Sequence, residues 1–199
     1  MRRRIWICLL FLGLLNGLEA RQWFVFVAKE GIFDGVLRKS FGHLYVVLVR
    51  ENPQTGEKLV YGSWGFYPKG GIKANGFLGY MGGEIRNDWG NYMDHGFSVE
   101  VSEHQFLAGL ELYNSWKTHP YSLLGAVNCQ HFVQEFVLLV AHLRVPKGNF
   151  ILPSQYLRAL KECNPHIDYA QALKSVKPRP VLRPKHNIQI LARLWRTNP

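Results

Sequence analysis

The chain has little of the chemistry that metal and nucleotide sites need. Only three of its 199 residues are cysteine, and they show no paired spacing. Neither a His-Glu-x-x-His helix nor a calcium-loop pattern is present. The glycines between positions 65 and 83 lack the lysine and hydroxyl spacing of a nucleotide-binding loop. We therefore expect neither a metal ion nor a cofactor.

Acidic residues are also scarce. Aspartate and glutamate number 14 against 24 lysines and arginines, which gives a formal net charge of +10. Such a balance favours contact with anionic surfaces such as a cell wall or lipid head groups. Nucleic acid is a third anionic partner, but the export signal described next argues against it, and we expect no nucleic-acid binding.

Long apolar runs are limited to the N-terminus. Arginines at positions 2–4 precede an apolar stretch over residues 5–15, and Ala20 supplies a small residue for cleavage. This order is typical of a secretory signal peptide, and the run is too short for a comfortable membrane span. We predict a signal peptide over residues 1–20 and an exported protein, periplasmic or secreted. Retention as an anchor is the alternative.

The rest of the chain divides into a domain and a tail. Residues 21–165 are enough for one domain with a single core, and residues 166–199 form a basic, proline-rich tail. Four apolar side chains recur at helical spacing in this tail: Ile188, Leu191, Leu194 and Trp195. We expect this short amphipathic segment to dock back on the domain, with contact to an anionic membrane surface as the alternative.

Apolar and β-branched patterns predict an α+β domain. Strands are predicted over residues 22–28, 41–49, 58–64 and 96–101. Ser102 and Gln105 form a capping box for one helix, and a second helix is predicted to begin at Asn128. The glycine-dense stretch over residues 65–83 is predicted to be a long loop.

Cys129 and His43 are the candidate catalytic pair. Asn128 is a good N-cap residue, which places Cys129 in the first helical turn, where the helix dipole lowers the pKa of a thiol. His43 lies in an apolar strand and can hold the thiolate as an ion pair and later protonate a leaving group. The Cys129 amide can donate to an oxyanion, and Asn128 is the candidate supporting residue.

Both assignments have rivals. A lone histidine in an apolar strand is more often structural. His131 lies two residues beyond the cysteine, where a helix turns it away, so we expect a structural role for it. His95 and His104 are weaker candidates for the base. In an oxidising compartment Cys129 could instead pair with Cys163, which would favour a non-catalytic binding protein.

The nucleophile region resembles a known family. Residues 128–133 read Asn-Cys-Gln-His-Phe-Val, which resembles the nucleophile motif of the lecithin:retinol acyltransferase-like branch of the NlpC-type papain-like superfamily. His43 precedes Cys129, as the permuted order of that branch requires. The stretch over residues 95–129 also resembles the approach to the cysteine in permuted bacterial papain-like amidases. The resemblance covers most of the region from His43 to about Val140.

The resemblance implies a papain-like fold in which a small antiparallel sheet packs on the cysteine helix. It also implies amide, ester or thioester chemistry through an acyl-enzyme. Members of the acyltransferase branch often carry a second histidine on the strand after the catalytic one, and residues 59–64 contain none. We expect Ser63 to orient the imidazole instead, and Tyr61, Glu84 and Asp94 are the alternatives.

These observations predict an exported cysteine hydrolase, an amidase or peptidase, with a cell-wall peptide bond as its substrate. A lipid-active acyltransferase, phospholipase or thioesterase is the second hypothesis. It rests on the Asn-Cys-x-His-Phe match and on the basic tail. A non-catalytic binding protein on the same fold is the third.

Overall fold

The computed structural model describes residues 20–29, 42–71, 79–89, 95–125, 127–148 and 152–165. The predicted tail, and the predicted signal peptide apart from Ala20, lie outside these described residues.

The described residues form an α+β fold with six strands and three helices. The sheet order is β5-β1-β2-β3-β4-β6, and every neighbouring pair is antiparallel. The α+β prediction is therefore confirmed. The elements are β1 Gln22–Lys29, β2 His43–Glu51, β3 Lys58–Pro68, β4 Met81–Asn87, β5 His95–Val101, α1 Glu103–Trp116, β6 Pro120–Tyr121, α2 Cys129–Leu139 and α3 Pro153–Cys163.

The glycine-rich stretch departs from the predicted loop. Strand β3 continues through Gly65 to Pro68, and β4 includes Gly82 and Gly83. A Cβ on Gly83 would collide with the Phe66 ring and a neighbouring backbone carbonyl. Several of these glycines therefore permit close packing inside paired strands, and the prediction of one long loop from 65 to 83 was wrong.

Strands β1 and β2 are buried on both faces, which explains their nearly continuous apolar sequences. One face packs against all three helices through a cluster that includes Phe24, Leu44 and Phe136. The opposite face forms a second cluster that includes Trp23, Val25 and Tyr45. Two buried faces fix the register of β2, because a slip by one residue would exchange its two sets of side chains.

The helices begin where local signals place them. The side chain of Ser102 accepts a hydrogen bond from the Gln105 amide, and the Gln105 side chain bonds back to the Ser102 amide, which is the predicted capping box of α1. Helix α2 buries Phe132, Val133 and other apolar residues against the sheet. None of the helices among the described residues has the length and apolar character needed to cross a membrane.

Candidate active site

Helix α2 presents Cys129 as its first residue. Asn128 is the N-cap, and its side-chain oxygen accepts hydrogen bonds from the backbone amides of Gln130 at 2.9 Å and His131 at 3.3 Å. The Cys129 amide is the first-turn donor that this cap does not use. Cys129 therefore lies where its own uncapped amide and the positive end of the helix dipole favour a negative charge.

The Asn128 side chain is committed to holding the loop before α2. Its Nδ2 atom donates to the carbonyl of Leu123 at 3.0 Å and to that of Gly125 at 3.4 Å. Both amide hydrogens thus have acceptors within the loop, so the side chain has no donor left for an oxyanion. Asn128 acts as cap and loop clamp, and the Cys129 amide is the oxyanion donor that this helix end offers.

His131 supports the same cap. Its Nδ1 atom lies 3.0 Å from the Asn128 side-chain oxygen. Burial lowers the pKa of His131, partly offset by Glu135, so the ring stays neutral and Nδ1 can donate its hydrogen. This is the structural role expected from the sequence, and its partner is the capping side chain.

His43 meets Cys129 from the first position of β2. The residue is only 8% exposed. Burial alone lowers the pKa of His43, but the Cys129 thiolate, the nearby Asp88 carboxylate and a hydrogen bond with Cys129 together raise it to about 9. The two site residues expected from the sequence therefore lie together.

The pKa of the Cys129 thiol shifts in the opposite direction. Burial raises its pKa, but the His43 charge, a hydrogen bond from His43, and the backbone amides of Leu44 and Cys129 bring it below the ordinary value. A raised imidazole pKa and a lowered thiol pKa favour a thiolate–imidazolium ion pair near neutral pH.

Asp88 is the third member of the cluster. Its Oδ2 atom lies 3.7 Å from Nε2 of His43, which is an ion-pair separation and longer than a hydrogen bond. With Nε2 directed toward Asp88, Nδ1 is the imidazole atom left for the thiol. Asp88 is 3% exposed and follows the end of β4, where its amide donates to the Ser63 carbonyl at 3.0 Å. Asp88 thus takes the orienting position expected of Ser63.

Ser63 lies elsewhere on the sheet. It pairs with Val47, four residues along β2 from His43, which corresponds to about 13 Å along a strand. Ser63 is linked to the site through its carbonyl, which accepts a hydrogen bond from the Asp88 amide. Asp88 was not predicted as a site residue, because an acidic residue after a strand is common and its approach to His43 depends on the register of three strands.

The other candidate orienters and bases have different surroundings. The Tyr61 ring packs edge-on against Phe106, and Glu84 binds Arg86. Asp94 lies outside the described residues. His95 begins β5, with β1 between it and β2, and His104 is exposed on α1.

Two tyrosines also line the cluster. The Tyr67 ring stacks on the imidazole of His43 with centroids 3.9 Å apart, and its hydroxyl donates to Asp88 Oδ1 at 2.5 Å. Burial and the charge of Cys129 raise the pKa of Tyr121 in β6, so its phenol keeps its proton beside the thiolate.

The disulfide alternative is not realised, because Cys129 and Cys163 are both free thiols. Across the part of the chain that the structure describes, no group of three or more His, Cys, Asp or Glu residues is arranged to hold a metal ion. At the site itself, the structure brings together a thiol, an imidazole and a carboxylate.

No protein-family model matches the chain, and no curated protein or solved structure matches it either.

Proposed function

We propose that this protein is an exported cysteine hydrolase with a permuted papain-like fold of the NlpC type, and that it forms an acyl-enzyme through Cys129. The observation that carries the proposal is the pair formed by the half-buried Cys129 and the buried His43 at the start of α2, in which the thiol pKa is lowered and the imidazole pKa is raised to about 9. A structural cysteine in an apolar site would have its pKa raised instead.

The geometry supports a two-step acyl transfer. The Cys129 thiolate attacks a carbonyl carbon, and the new oxyanion accepts a hydrogen bond from the Cys129 amide. The His43 imidazolium gives its proton to the leaving amine as the carbon–nitrogen bond breaks. In the second step His43 removes a proton from water, the resulting hydroxide attacks the thioester, and the thiolate leaves, which restores the ion pair.

A cell-wall peptide amide is the substrate class that we propose. The amide bond needs a proton donor for its leaving amine, which His43 supplies because its pKa of about 9 keeps it charged at neutral pH. A net charge of +10 attracts the chain to anionic wall polymers. An export signal would deliver the enzyme to that polymer, in the periplasm or outside the cell.

Acylation by an activated ester tests the chemistry, and purified cell wall tests the substrate. We expect p-nitrophenyl acetate to give a burst of p-nitrophenolate and one acetyl group on Cys129 by peptide mass spectrometry. Cys129→Ala should show neither, and His43→Gln should acylate slowly. Purified sacculi should gain free amino groups with the wild type only. Acetylation without amine release would reject the wall substrate, and no acetylation would reject the hydrolase.

A lipid acyl substrate is the second candidate, and two exposed apolar side chains favour it. Tyr80 and Leu124 are each 65% exposed. The Tyr80 hydroxyl lies 3.8 Å from the position that a Cβ on Gly125 would occupy, and Leu124 precedes Gly125 in the loop clamped by Asn128. An apolar pair beside the nucleophile helix could hold an acyl chain.

Vesicle flotation separates the two substrates. Under the lipid hypothesis, the full chain should float with anionic phosphatidylglycerol vesicles. The protein lacking residues 178–199, and the Tyr80→Ser and Leu124→Ser variants, should bind less and release less fatty acid. Absence of flotation and of fatty-acid release with the full chain would reject the lipid substrate.

A further inference from the structure

We propose that Tyr67 is a positioning residue that holds the His43 imidazole and the Asp88 carboxylate in one arrangement. The inference rests on the proposed function, since it concerns the same thiolate–imidazolium pair. Tyr67 would act through its neighbours and not on the substrate itself.

The first observation is that Tyr67 contacts both partners at once. Its ring stacks on the imidazole with centroids 3.9 Å apart and planes inclined by 25°. Its hydroxyl donates to Asp88 Oδ1 at 2.5 Å, which leaves Oδ2 as the oxygen facing His43. One rigid side chain therefore fixes the plane of the base and the rotation of the carboxylate.

The second observation is the hydrogen bond that Tyr67 donates to the Asp88 carboxylate. Asp88 follows the last residue of β4, and its own amide bonds to the Ser63 carbonyl. Its 3.7 Å separation from His43 is too long for a hydrogen bond to hold the carboxylate in place. The Tyr67 hydroxyl supplies a short hydrogen bond to this side chain, and charge-assisted bonds of this kind are among the stronger ones in proteins.

The third observation is how the sheet delivers Tyr67. Tyr45 pairs with Gly65, so the same antiparallel register places Tyr67 beside His43. Gly65 lacks a side chain, and a Cβ there would occupy the space taken by His43 Nε2 and Asp88 Oδ2. Gly65 therefore leaves a space that His43 and Asp88 fill. Tyr67, two residues later on β3, contacts both of them.

The other face of Tyr67 is also occupied. The guanidinium of Arg86 lies over the ring at 4.9 Å from the centroid. Because the imidazole takes one face at 3.9 Å, the guanidinium takes the opposite face. Arg86 is in turn held by Glu84, through bonds of 2.9 and 2.5 Å. The ring is clamped from both sides, so its position does not depend on the substrate.

This arrangement has a consequence for the imidazolium. A cation over an aromatic face is stabilised by the ring quadrupole, so stacking favours the charged form of His43. Burial raises the pKa of Tyr67, and its bond to Asp88 raises it further, so the phenol remains a donor over the whole working range. Loss of the ring or of the hydroxyl should therefore make the thiolate harder to form.

The test uses two variants of Tyr67 and a matched control. Tyr67→Phe keeps the stack and removes the bond to Asp88, whereas Tyr67→Leu removes both. Tyr113→Phe is the control, because Tyr113 is also a stacked aromatic, on Trp64 at 4.0 Å. Iodoacetamide labelling of Cys129 is followed across pH, with Cys163 in the same molecules as the reference thiol. The midpoint reports the thiol pKa independently of how easily the reagent enters.

We expect the Cys129 midpoint to rise in Tyr67→Phe and to rise further in Tyr67→Leu, with no change in Tyr113→Phe. At a pH well below both midpoints, a rise of one unit in the thiol pKa lowers the labelling rate roughly tenfold. If Tyr67 acts through Asp88, then the double variant Tyr67→Phe/Asp88→Asn should raise the Cys129 midpoint no more than Asp88→Asn does alone. A purely structural role would not give this non-additivity.

Each failure has a separate signature. If wild-type Cys129 titrates at low pH and Tyr67→Phe and Tyr67→Leu match it, the positioning role is wrong and the proposed hydrolase stands. If wild-type Cys129 titrates like Cys163, both proposals fail. If Tyr67→Leu does not fold, as judged by circular dichroism, the comparison of Tyr67→Phe with Tyr113→Phe decides alone.

Discussion

The ionisation of Cys129 and His43 depends on each residue's partner. Burial disfavours the charge on each, since it raises the pKa of the thiol and lowers that of the imidazole. Their mutual attraction reverses both effects, which a buried site allows because its dielectric constant is low. Removing His43 should therefore leave Cys129 protonated near neutral pH, whereas His43 without Cys129 keeps the attraction of Asp88.

The pH dependence of amide hydrolysis should have two limbs. The rate should rise as the pH passes the lowered pKa of Cys129, because the thiolate is the attacking form. It should fall as the pH passes about 9, where His43 loses the proton needed by the leaving amine. Values of kcat/KM on a wall peptide check this. Hydrolysis of a p-nitrophenyl ester, whose leaving group needs no proton, should lack the alkaline limb, and a fall there too would contradict the role of His43 as the acid.

Gly65→Ala should disable the site without a general loss of fold. The new Cβ would collide with His43 Nε2 and Asp88 Oδ2, so the base and the carboxylate must move. Gly82→Ala is the matched control, because its Cβ would meet only the Lys69 side chain at ordinary contact distances of 3.6 and 3.8 Å. We expect the Cys129 labelling midpoint to rise in Gly65→Ala alone. Equal midpoints in the two variants would contradict the geometry.

At the scale of single elements, α2 depends on one side chain for both its start and its approach loop. Asn128 caps Gln130 and His131 with its oxygen, and holds Leu123 and Gly125 with its nitrogen. The sequence predicted this cap, and the capping box of α1, because both signals lie within a few residues. It did not predict the meeting of Asp88 and Tyr67 with His43, because that meeting depends on strand register.

Substitutions at Asn128 should separate the cap from the loop clamp. Asn128→Ala loses both, and an N-cap alone contributes about 1 kcal/mol to the free energy of unfolding. Asn128→Asp keeps the cap oxygen, so it should unfold at a higher denaturant concentration than Asn128→Ala. It also places a negative charge beside the thiolate, so it should raise the Cys129 pKa.

Denaturant unfolding and iodoacetamide labelling check these expectations. Ser102→Ala removes the corresponding cap of α1 and should lower stability by a similar amount, with Cys129 labelling unchanged. A shifted Cys129 midpoint in Ser102→Ala would show that labelling reports general stability and not the local charge.

In the whole molecule, the sheet determines where the site residues lie, and its strands β1 and β2 are buried on both faces. The apolar patterns of β1, β2 and β5 made these strands predictable, whereas β3 and β4 were partly missed because their glycines were taken for a loop. Those glycines allow neighbouring side chains to fill the space above the strands. Pattern alone cannot distinguish a glycine that permits packing from one that permits a turn.

The free state of both described thiols is also a property of the folded molecule. We expect the native mass to show no two-hydrogen deficit from a Cys129–Cys163 bond, and we expect both cysteines to label fully in denaturant without reductant. Tryptic peptide mapping without reduction checks this. A peptide joining the two cysteines would contradict the structure and would favour the non-catalytic binding protein.

Cys129 is a thiolate paired with the His43 imidazolium in this account of the site. Iodoacetamide labelling of the wild type and of His43→Ala across pH tests whether that pair exists. We predict that wild-type Cys129 labels well below the free-thiol pKa of about 8.5, that Cys163 does not, and that His43→Ala loses the difference. If Cys129 labels like Cys163 in the wild type, or if His43→Ala leaves its midpoint unchanged, there is no such pair and the proposed hydrolase is wrong.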